Sequence, residues 1–541
     1  MSKNKLLLIL ILILSAVLRF YKLGTNPPAL DWDETAHGYN AYSILKTARD
    51  EYGYKLPLYF RSFDDYKPPI YTYLVVPSVA IFGLNNFAVR FPSAFLGVGS
   101  VLFTYLIVFE LLKKKEIAYM SALFLAISPW HLQFSRVAFE TNSTIFFTLL
   151  GTWSFLKGIK SEKFKLMGFM SLASIAFGLN LFMYHNSRVF IPLFSIGLMI
   201  IFKDKILNSK KYLVLPATIA LIFSIMLIPI ITSISGLLRF KGTTIFTDIN
   251  PLERSSQEIA YDKNHGMYLI GVIFHNRRLA YVPMIIKNYL SHLNPTFLFF
   301  TADMDRHHAP EMGLLYLWDL PFLIAGTFFL INKNFDKKSK TILIVWFLLA
   351  PVAASVTWGV PHALRSEIYL PVFQFFIAIG FYYLYLSLKK NKLFLFSSII
   401  LLTLNFLFYL HQYYIHLPIE FSKSWLFGRK EAVLFTESVK QNYDKVIVST
   451  KLEQPHEFWL YYLKYDPKKY QEEGGTVSGG FLEDRNKFDK YYFKPLHFSE
   501  QKKEGKILFA GLPEEFPKNT IPLKKINYLN GEEAIYIVGG Q

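Results

Sequence analysis

The chain contains no cysteine in its 541 residues, which excludes a disulfide framework and any thiolate chemistry or thiolate metal ligation. Charge is scarce as well. Only 18% of residues are Asp, Glu, Lys or Arg, against about 25% in a soluble domain. Acidic residues are the scarcer sign, 40 against 58 basic, for a net charge of +18. That balance alone would suit a nucleic-acid binder, but its distribution does not. Much of the lysine sits in short turns between apolar runs, at Lys113–Lys115, Lys157/Lys160/Lys163/Lys165, Lys203/Lys205/Lys210/Lys211, Lys333/Lys337/Lys338/Lys340 and Lys389/Lys390/Lys392. Such clusters read as cytoplasmic-side topology anchors, and no nucleic-acid partner is expected.

What is plentiful is apolar surface: 52% hydrophobic and 17% aromatic residues, with a mean hydropathy of +0.28. Apolar runs recur from residue 6 to residue 414, the pattern of a polytopic helical membrane protein. The opening MSKNKLLLILILILSAVLRFY lacks a small-residue cleavage site and closes on Arg19, Phe20 and Tyr21, so it reads as a retained first span. Placing each lysine cluster inside predicts spans at 6–21, 90–111, 118–133, 143–156, 166–182, 189–202, 213–235, 314–331, 341–356, 367–388 and 393–414. The shorter segment 70–83, interrupted by Pro77, then lies at the outer surface or re-enters it. The expected fold is therefore an all-α membrane protein with about 11 spans, its N-terminus cytoplasmic. A membrane module 1–415 carries outer loops 22–89 and 236–313, and a small external α/β domain occupies 420–541. In that domain RKEAVLFTESVKQNY and HEFWLYYLKY read as helices, and YDKVIVST, GKILFAGL and EEAIYIVGG as strands. Its GGTVSGGF lacks the strand–turn–helix setting of a nucleotide-binding glycine loop.

The predicted outer face collects Asp, Glu, Arg and His, while the inner turns hold mostly lysine. Asp31, Asp33, Glu34 and Lys67 fall in the first loop, Arg90 opens the next span, and Arg136 lies in FSRVAFETN. His185 and Arg188 lie in YHNSR, and His362 and Arg365 in WGVPHALRSE. Solubility at a membrane surface explains any one of these. The set suits a cavity that grips an anionic headgroup through Arg and Lys and keeps a carboxylate as base. Sugar transfer from a lipid phosphate needs such a set, because the phosphate is already a competent leaving group and the missing component is a base for the acceptor hydroxyl. His362 and Arg365 are candidate phosphate ligands; Arg136, His185 and Arg188 are candidate substrate contacts. Asp303, Asp305, His307 and His308 in TADMDRHHAPEMG are metal-compatible types, suited to Mn²⁺ or Zn²⁺, at a spacing that matches no specific site. No other cofactor is indicated.

The motifs DWDETAHGY (31–39), KPPIYTYL (67–74) and FAVRFPSAFLG (87–97), with FSRVAF (134–139) and PHALRS (361–366), carry a family likeness. Over roughly residues 6–415 the chain resembles the GT-C glycosyltransferases of the protein O-mannosyltransferase and lipid A aminoarabinose transferase superfamily. The resemblance implies a polyprenyl-phosphate sugar donor at the bilayer, a protein, lipid or cell-envelope glycan acceptor, and a plasma-membrane location. It also implies Asp33 as the catalytic carboxylate with Glu34 beside it, Lys67 near the donor phosphate, and Arg90 as a brace or headgroup contact. Mannosyltransferases of the group carry His-Pro-Pro where this chain has Lys67-Pro68-Pro69, which leans away from mannose. Independently of the family, Pro68 bars helix at Lys67 and leaves it at the mouth of the helix that follows. Asp31 and Asp33 also suit the N-cap of a helix over 35–48, and Glu34 its first turn. The competing reading is a transporter or flippase of an anionic lipid. It predicts charges near the middles of spans and inverted repeats; the charges here fall mostly at span ends.

Overall fold

The computed structural model describes residues 3–62, 65–477 and 486–540. The first apolar run forms α1 (Lys3–Phe20), followed by α2 (Trp32–Thr47) in the loop after it. A two-stranded hairpin comes next, β1 (Phe60–Ser62) against β2 (Asp65–Lys67), pairing Phe60 with Lys67. Pro68 and Pro69 end β2 and set off α3 (Ile70–Phe82), so Lys67 does sit at that helix's mouth. Then follow α4 (Asn86–Leu112), α5 (Lys115–Ile127), α6 (Pro129–Ser135), α7 (Glu140–Ile159), α8 (Lys163–Leu181), α9 (Ser187–Ile201) and α10 (Val214–Thr232). The 236–313 stretch is mainly short helices, among them α11 (Asn250–Asn264). The membrane module closes with α12 (Asp319–Asn332), α13 (Lys337–Leu349), α14 (Val372–Ser387) and α15 (Lys392–His411).

The expectation of about 11 spans is not met. Among the described residues five helical segments are long and apolar enough to cross a membrane: Asn86–Leu112, Lys163–Leu181, Val214–Thr232, Lys337–Ser355 and Lys392–Glu420. A sixth arises if Ala363–Tyr369 and Val372–Ser387, bent by 51°, count as one. The reasons are local. The 118–133 run breaks at Ser128, where Pro129 starts a new helix. The helices α9 and α12 have 15 and 14 residues, and at about 1.5 Å per residue they fall short of a core about 30 Å thick. Helix α1 carries Lys3, Lys5 and Arg19 within its 18 residues, and α7 opens on the polar ETNST. Five and six differ in parity, so the assignment of loops to sides loses the count on which it rested.

Two of the shorter helices pack backbone to backbone. A Cβ on Gly326 of α12 would lie 1.8 Å from the Phe376 carbonyl oxygen, and one on Gly380 of α14 would lie 1.9 Å from that of Phe322. The paired glycines are what lets α12 and α14 touch.

Beyond residue 428 the chain forms a mixed α/β unit. Its helices are α16 (Arg429–Val439) and α17 (Pro455–Leu463), and its sheet order is β4-β5-β3-β6-β8-β7. The strands are β3 (Lys445–Ser449), β4 (Lys487–Phe488), β5 (Tyr491–Lys494), β6 (Ile507–Gly511), β7 (Lys524–Asn527) and β8 (Glu533–Gly539). The central strand β3 is parallel to β5 and β6, and the remaining pairings are antiparallel. Both faces of β3 and β6 are covered, which explains why KVIVS and ILFAG read as continuous apolar runs. GGTVSGGF runs past residue 477 and lies partly outside the described residues. The unit seats directly on α2: Tyr39 belongs to its core, and Gln471 Nε2 donates to Ser43 Oγ, Thr47 Oγ1 and the Asp50 carbonyl, each at 3.0 Å.

Candidate active site

The site is built on the first turn of α2. That helix starts at Trp32, three residues earlier than the sequence suggests, and Asp31 is its cap. The Asp31 carboxylate accepts the Glu34 N–H at 2.9 Å while Glu34 reaches back to the Asp31 N–H at 3.3 Å, a reciprocal capping box. With capping done by Asp31, the Asp33 carboxylate is released for other contacts. It pairs at 2.6 Å with Lys67 Nζ. The Asp33 side chain remains 36% exposed, facing a cavity rather than bulk solvent. Burial opposes charging both groups, yet the pair overrides it. Asp33 is held below the usual carboxylate range by Lys67 and Arg306, and Lys67 above the usual ammonium value by Asp33 and Glu140.

The cavity has a volume of about 340 Å³ and is walled by six separate parts of the chain, four of which bring ionisable side chains. Asp31 and Asp33 come from α2, Tyr184 and His185 from the turn between α8 and α9, Arg306 and His307 from the 301–313 segment, and His362 and Arg365 from the turn before the bent helix pair. Arg306 stands beside His307, and nothing in the sequence singles it out. Its guanidinium bonds Asp31 Oδ2 at 2.6 Å and lies 4.6 Å over the Trp32 ring. Irregular chain carries no periodicity to point at one cation, so only the fold reveals this contact. Tyr184 and His37 carry no such signal either; buried His37 stands 3.2 Å from Glu140, one of the polar residues of the FSRVAFETN turn.

Other expected site residues lie elsewhere. Glu34 is fully buried, gripped by Arg90 in two bonds of 2.8 Å, and it accepts the Ala138 N–H at 2.9 Å. Arg90 also donates to the carbonyls of Pro27 and Ala29. The two side chains tie α4, the first loop and residue 138 together and do not line the cavity. Arg136 is buried against the carbonyls of Leu18, Arg19 and Asn26 and the Tyr413 hydroxyl. Arg188 contacts His185 Nδ1 at 2.9 Å, and with Lys67 and His185 it lines a narrow cleft beside the main cavity. Burial and the neighbouring Arg188 push His185 down to about 3, leaving a neutral imidazole.

The four metal candidates do not converge. Asp305 accepts from Ser424 at 2.6 Å and His308 Nδ1 contacts the Ala309 carbonyl. Asp303 and His307 instead meet His362, at 3.0 and 3.4 Å from Asp303 Oδ2. One carboxylate and two imidazoles are a donor set for Zn²⁺ or Mn²⁺, and His362 Nδ1 is buried with no hydrogen-bond partner. These three residues fit a divalent cation.

Residues 66–228 match the family described as dolichyl-phosphate-mannose-protein mannosyltransferase. A protein of Bacillus subtilis named "Putative mannosyltransferase YkcB" is 28% identical over 173 residues, 30% of this chain and 22% of that one. An uncharacterized protein of Aquifex aeolicus is 33% identical over 147 residues, 27% of this chain and 28% of that one. The matched stretch thus spans less than a third of these relatives. ArnT from Cupriavidus metallidurans in the apo state aligns over 100% of this chain and 99% of its own, at 13% identity and a TM-score of 0.45. At that level of likeness it assigns no role to any residue here.

Proposed function

We propose that this chain is an inverting glycosyltransferase of the GT-C type that moves a sugar from a polyprenyl-phosphate donor to a hydroxyl acceptor at the membrane surface. The observation that carries the reading is the Asp33–Lys67 pair at 2.6 Å, opening onto a cavity that also holds Arg306 and Arg365. An ionised Asp33 carboxylate held by Lys67, at a cavity that also carries Arg365 and the Asp31–Arg306 pair, suits a base working beside a bound phosphate.

Lys67, Arg306 and Arg365 are assigned to the donor phosphate. An apolar groove of about 420 Å³ runs between α8, α9 and α10. The turn joining α8 to α9 lines the polar cavity, so a headgroup in the cavity would leave the prenyl chain close to apolar walls. In the reaction the acceptor hydroxyl forms its bond to the anomeric carbon as the bond from that carbon to phosphate oxygen breaks. The lipid phosphate leaves with the electron pair, and the hydroxyl proton passes to Asp33. Attack opposite the leaving group inverts the anomeric centre. Phosphate arriving at Lys67 would draw the ammonium from Asp33 and make that carboxylate a stronger base only when donor is present. A cation held by Asp303, His307 and His362 would add positive charge beside the leaving phosphate. The residues of the Glu34–Arg90 brace are assigned to positioning, since they touch α2 and not the cavity.

The test is transfer of label from a panel of radiolabelled polyprenyl-phosphate sugars to host membrane acceptors, by wild type and by Asp33→Asn. Wild-type transfer with a fall of roughly 10²–10⁴-fold in the variant, donor binding being retained, is the expected result. Equal transfer by both removes Asp33 from the mechanism. Movement of intact labelled lipid across a reconstituted bilayer, with no transfer, replaces the enzyme by a transporter.

A further inference from the structure

A second cluster of ligand-type side chains lies outside the cavity, where the C-terminal unit meets the loop after α2. Glu51, His456 and Glu457 are each at most 3% exposed, and each offers one ligand atom within 4.8 Å of the others. Glu51 is held from both sides: its carboxylate accepts from Asn40 Nδ2 at 2.8 Å and Thr476 Oγ1 at 2.7 Å, and its carbonyl accepts the Thr476 N–H at 3.2 Å. Glu457 stands in the first turn of α17, with one carboxylate oxygen 3.8 Å from His456 Nε2. Its other oxygen, Oε2, is buried with no hydrogen-bond partner.

Two buried carboxylates need a positive charge nearby or a proton between them. Lys67 is close enough to act on both, but its ammonium is committed to Asp33 at 2.6 Å. A shared proton would satisfy the two carboxyls without using the His456 nitrogen that stands beside them. A metal ion uses all three side chains. One nitrogen and two carboxylates are the donors of a zinc or manganese site, and small side-chain rotations would bring them to the bond length of about 2.0–2.2 Å.

We propose that Glu51, His456 and Glu457 bind a divalent cation of the zinc or manganese class, and that this ion fastens the C-terminal unit to the loop behind Lys67. The ligands are separated by about 400 residues of chain and belong to two separately built regions, so ion binding closes a contact that no local sequence could make. The site stands apart from the Asp303–His307–His362 group and does not depend on the proposed transfer reaction.

The experiment is metal content. Purified full-length protein is stripped with chelator, loaded with Zn²⁺ or with Mn²⁺, desalted and assayed by mass spectrometry. Glu457→Gln and His456→Asn are expected each to lose one equivalent relative to wild type, while Asp303→Asn keeps the equivalent that those two lose. Anomalous scattering from wild-type protein loaded with Mn²⁺ or Zn²⁺ needs no variant and is expected to give a peak among residues 51, 456 and 457. Unchanged content in both variants, or wild-type data with no peak there, overturns the proposal in favour of a proton shared by Glu51 and Glu457.

Discussion

At the scale of single residues, three carboxylates that stand within four positions of one another take three different roles. Asp31 caps α2, Glu34 is buried against Arg90, and Asp33 pairs with Lys67 and faces the cavity. The buried pair yields a stability prediction. Arg90→Leu leaves Glu34 charged and unpaired in a place with 0% exposure, which costs on the order of 3–5 kcal/mol. A double variant that also carries Glu34→Leu is expected to recover part of that loss, read as thermal midpoints in detergent. Asp33 yields a pH prediction. Its pKa in the free protein is depressed, so its ionised form, and the stability its pairing contributes, persist from neutral pH down through about 3.9 and are lost only as pH falls through the lower folded value. If donor phosphate takes Lys67 away, Asp33 rises in the complex. The acidic limb of kcat is therefore expected at higher pH than that of kcat/KM, because the two report the bound and free enzyme. Coincident limbs in the two profiles would exclude the exchange of Lys67 between carboxylate and phosphate.

Among the elements, the decisive contacts are those in which a short helix is held by its neighbours rather than by its own length. The 14-residue α12 lies against α14 through Gly326 and Gly380. Gly326→Val would drive Cβ into the Phe376 carbonyl at 1.8 Å and force the helices apart, and the variant is expected to lose thermal stability or fail to accumulate. Gly168→Val in α8 is the control. Nothing lies within 4 Å of a Cβ there, so its melting curve is expected to overlay that of wild type. The element types were largely legible in the sequence. KVIVS, ILFAG and EAIYIVG stand as strands, and the helix at 429 and the aromatic helix after Pro455 both form. The two-residue β4 and the four-residue β5 and β7 were not legible, because so short a run does not separate alternation from chance.

For the whole molecule, the C-terminal unit sits on the helix that bears the candidate base. Tyr39 of α2 packs in the core of that unit, and Tyr461 of α17 closes on Gly38. The backbone of α2 is therefore held from both sides, by the membrane module through Glu34 and by the sheet unit through Gln471. Gln471→Ala removes three side-chain bonds from that seam. Faster amide hydrogen exchange in α2, with exchange in β3 and β6 unchanged, is the expected outcome; unchanged exchange in α2 would mean that the apolar contacts alone hold the seam.

The sequence by itself determined the chemistry of the parts. Apolar runs, clustered lysines and a strand-rich tail specify a membrane module and a mixed α/β unit, because hydropathy and strand patterning act over a few residues. The motif at 31–39 and the Lys-Pro-Pro turn bring carboxylates and a lysine to the first loop, and the proline rule places Lys67 at a helix mouth by sterics alone. Only the tertiary structure decided which charge meets which. Glu34 and Arg90 are 56 residues apart, and Asp31 and Arg306 are 275 apart. Asp303 lies against His307 and His362 rather than against its neighbours Asp305 and His308. The number of spans was decided at the same level, by breaks at Ser128 and by helices that stop short of a bilayer's thickness. An ion pair depends on distance through space, and chain order does not record that distance until the helices have packed.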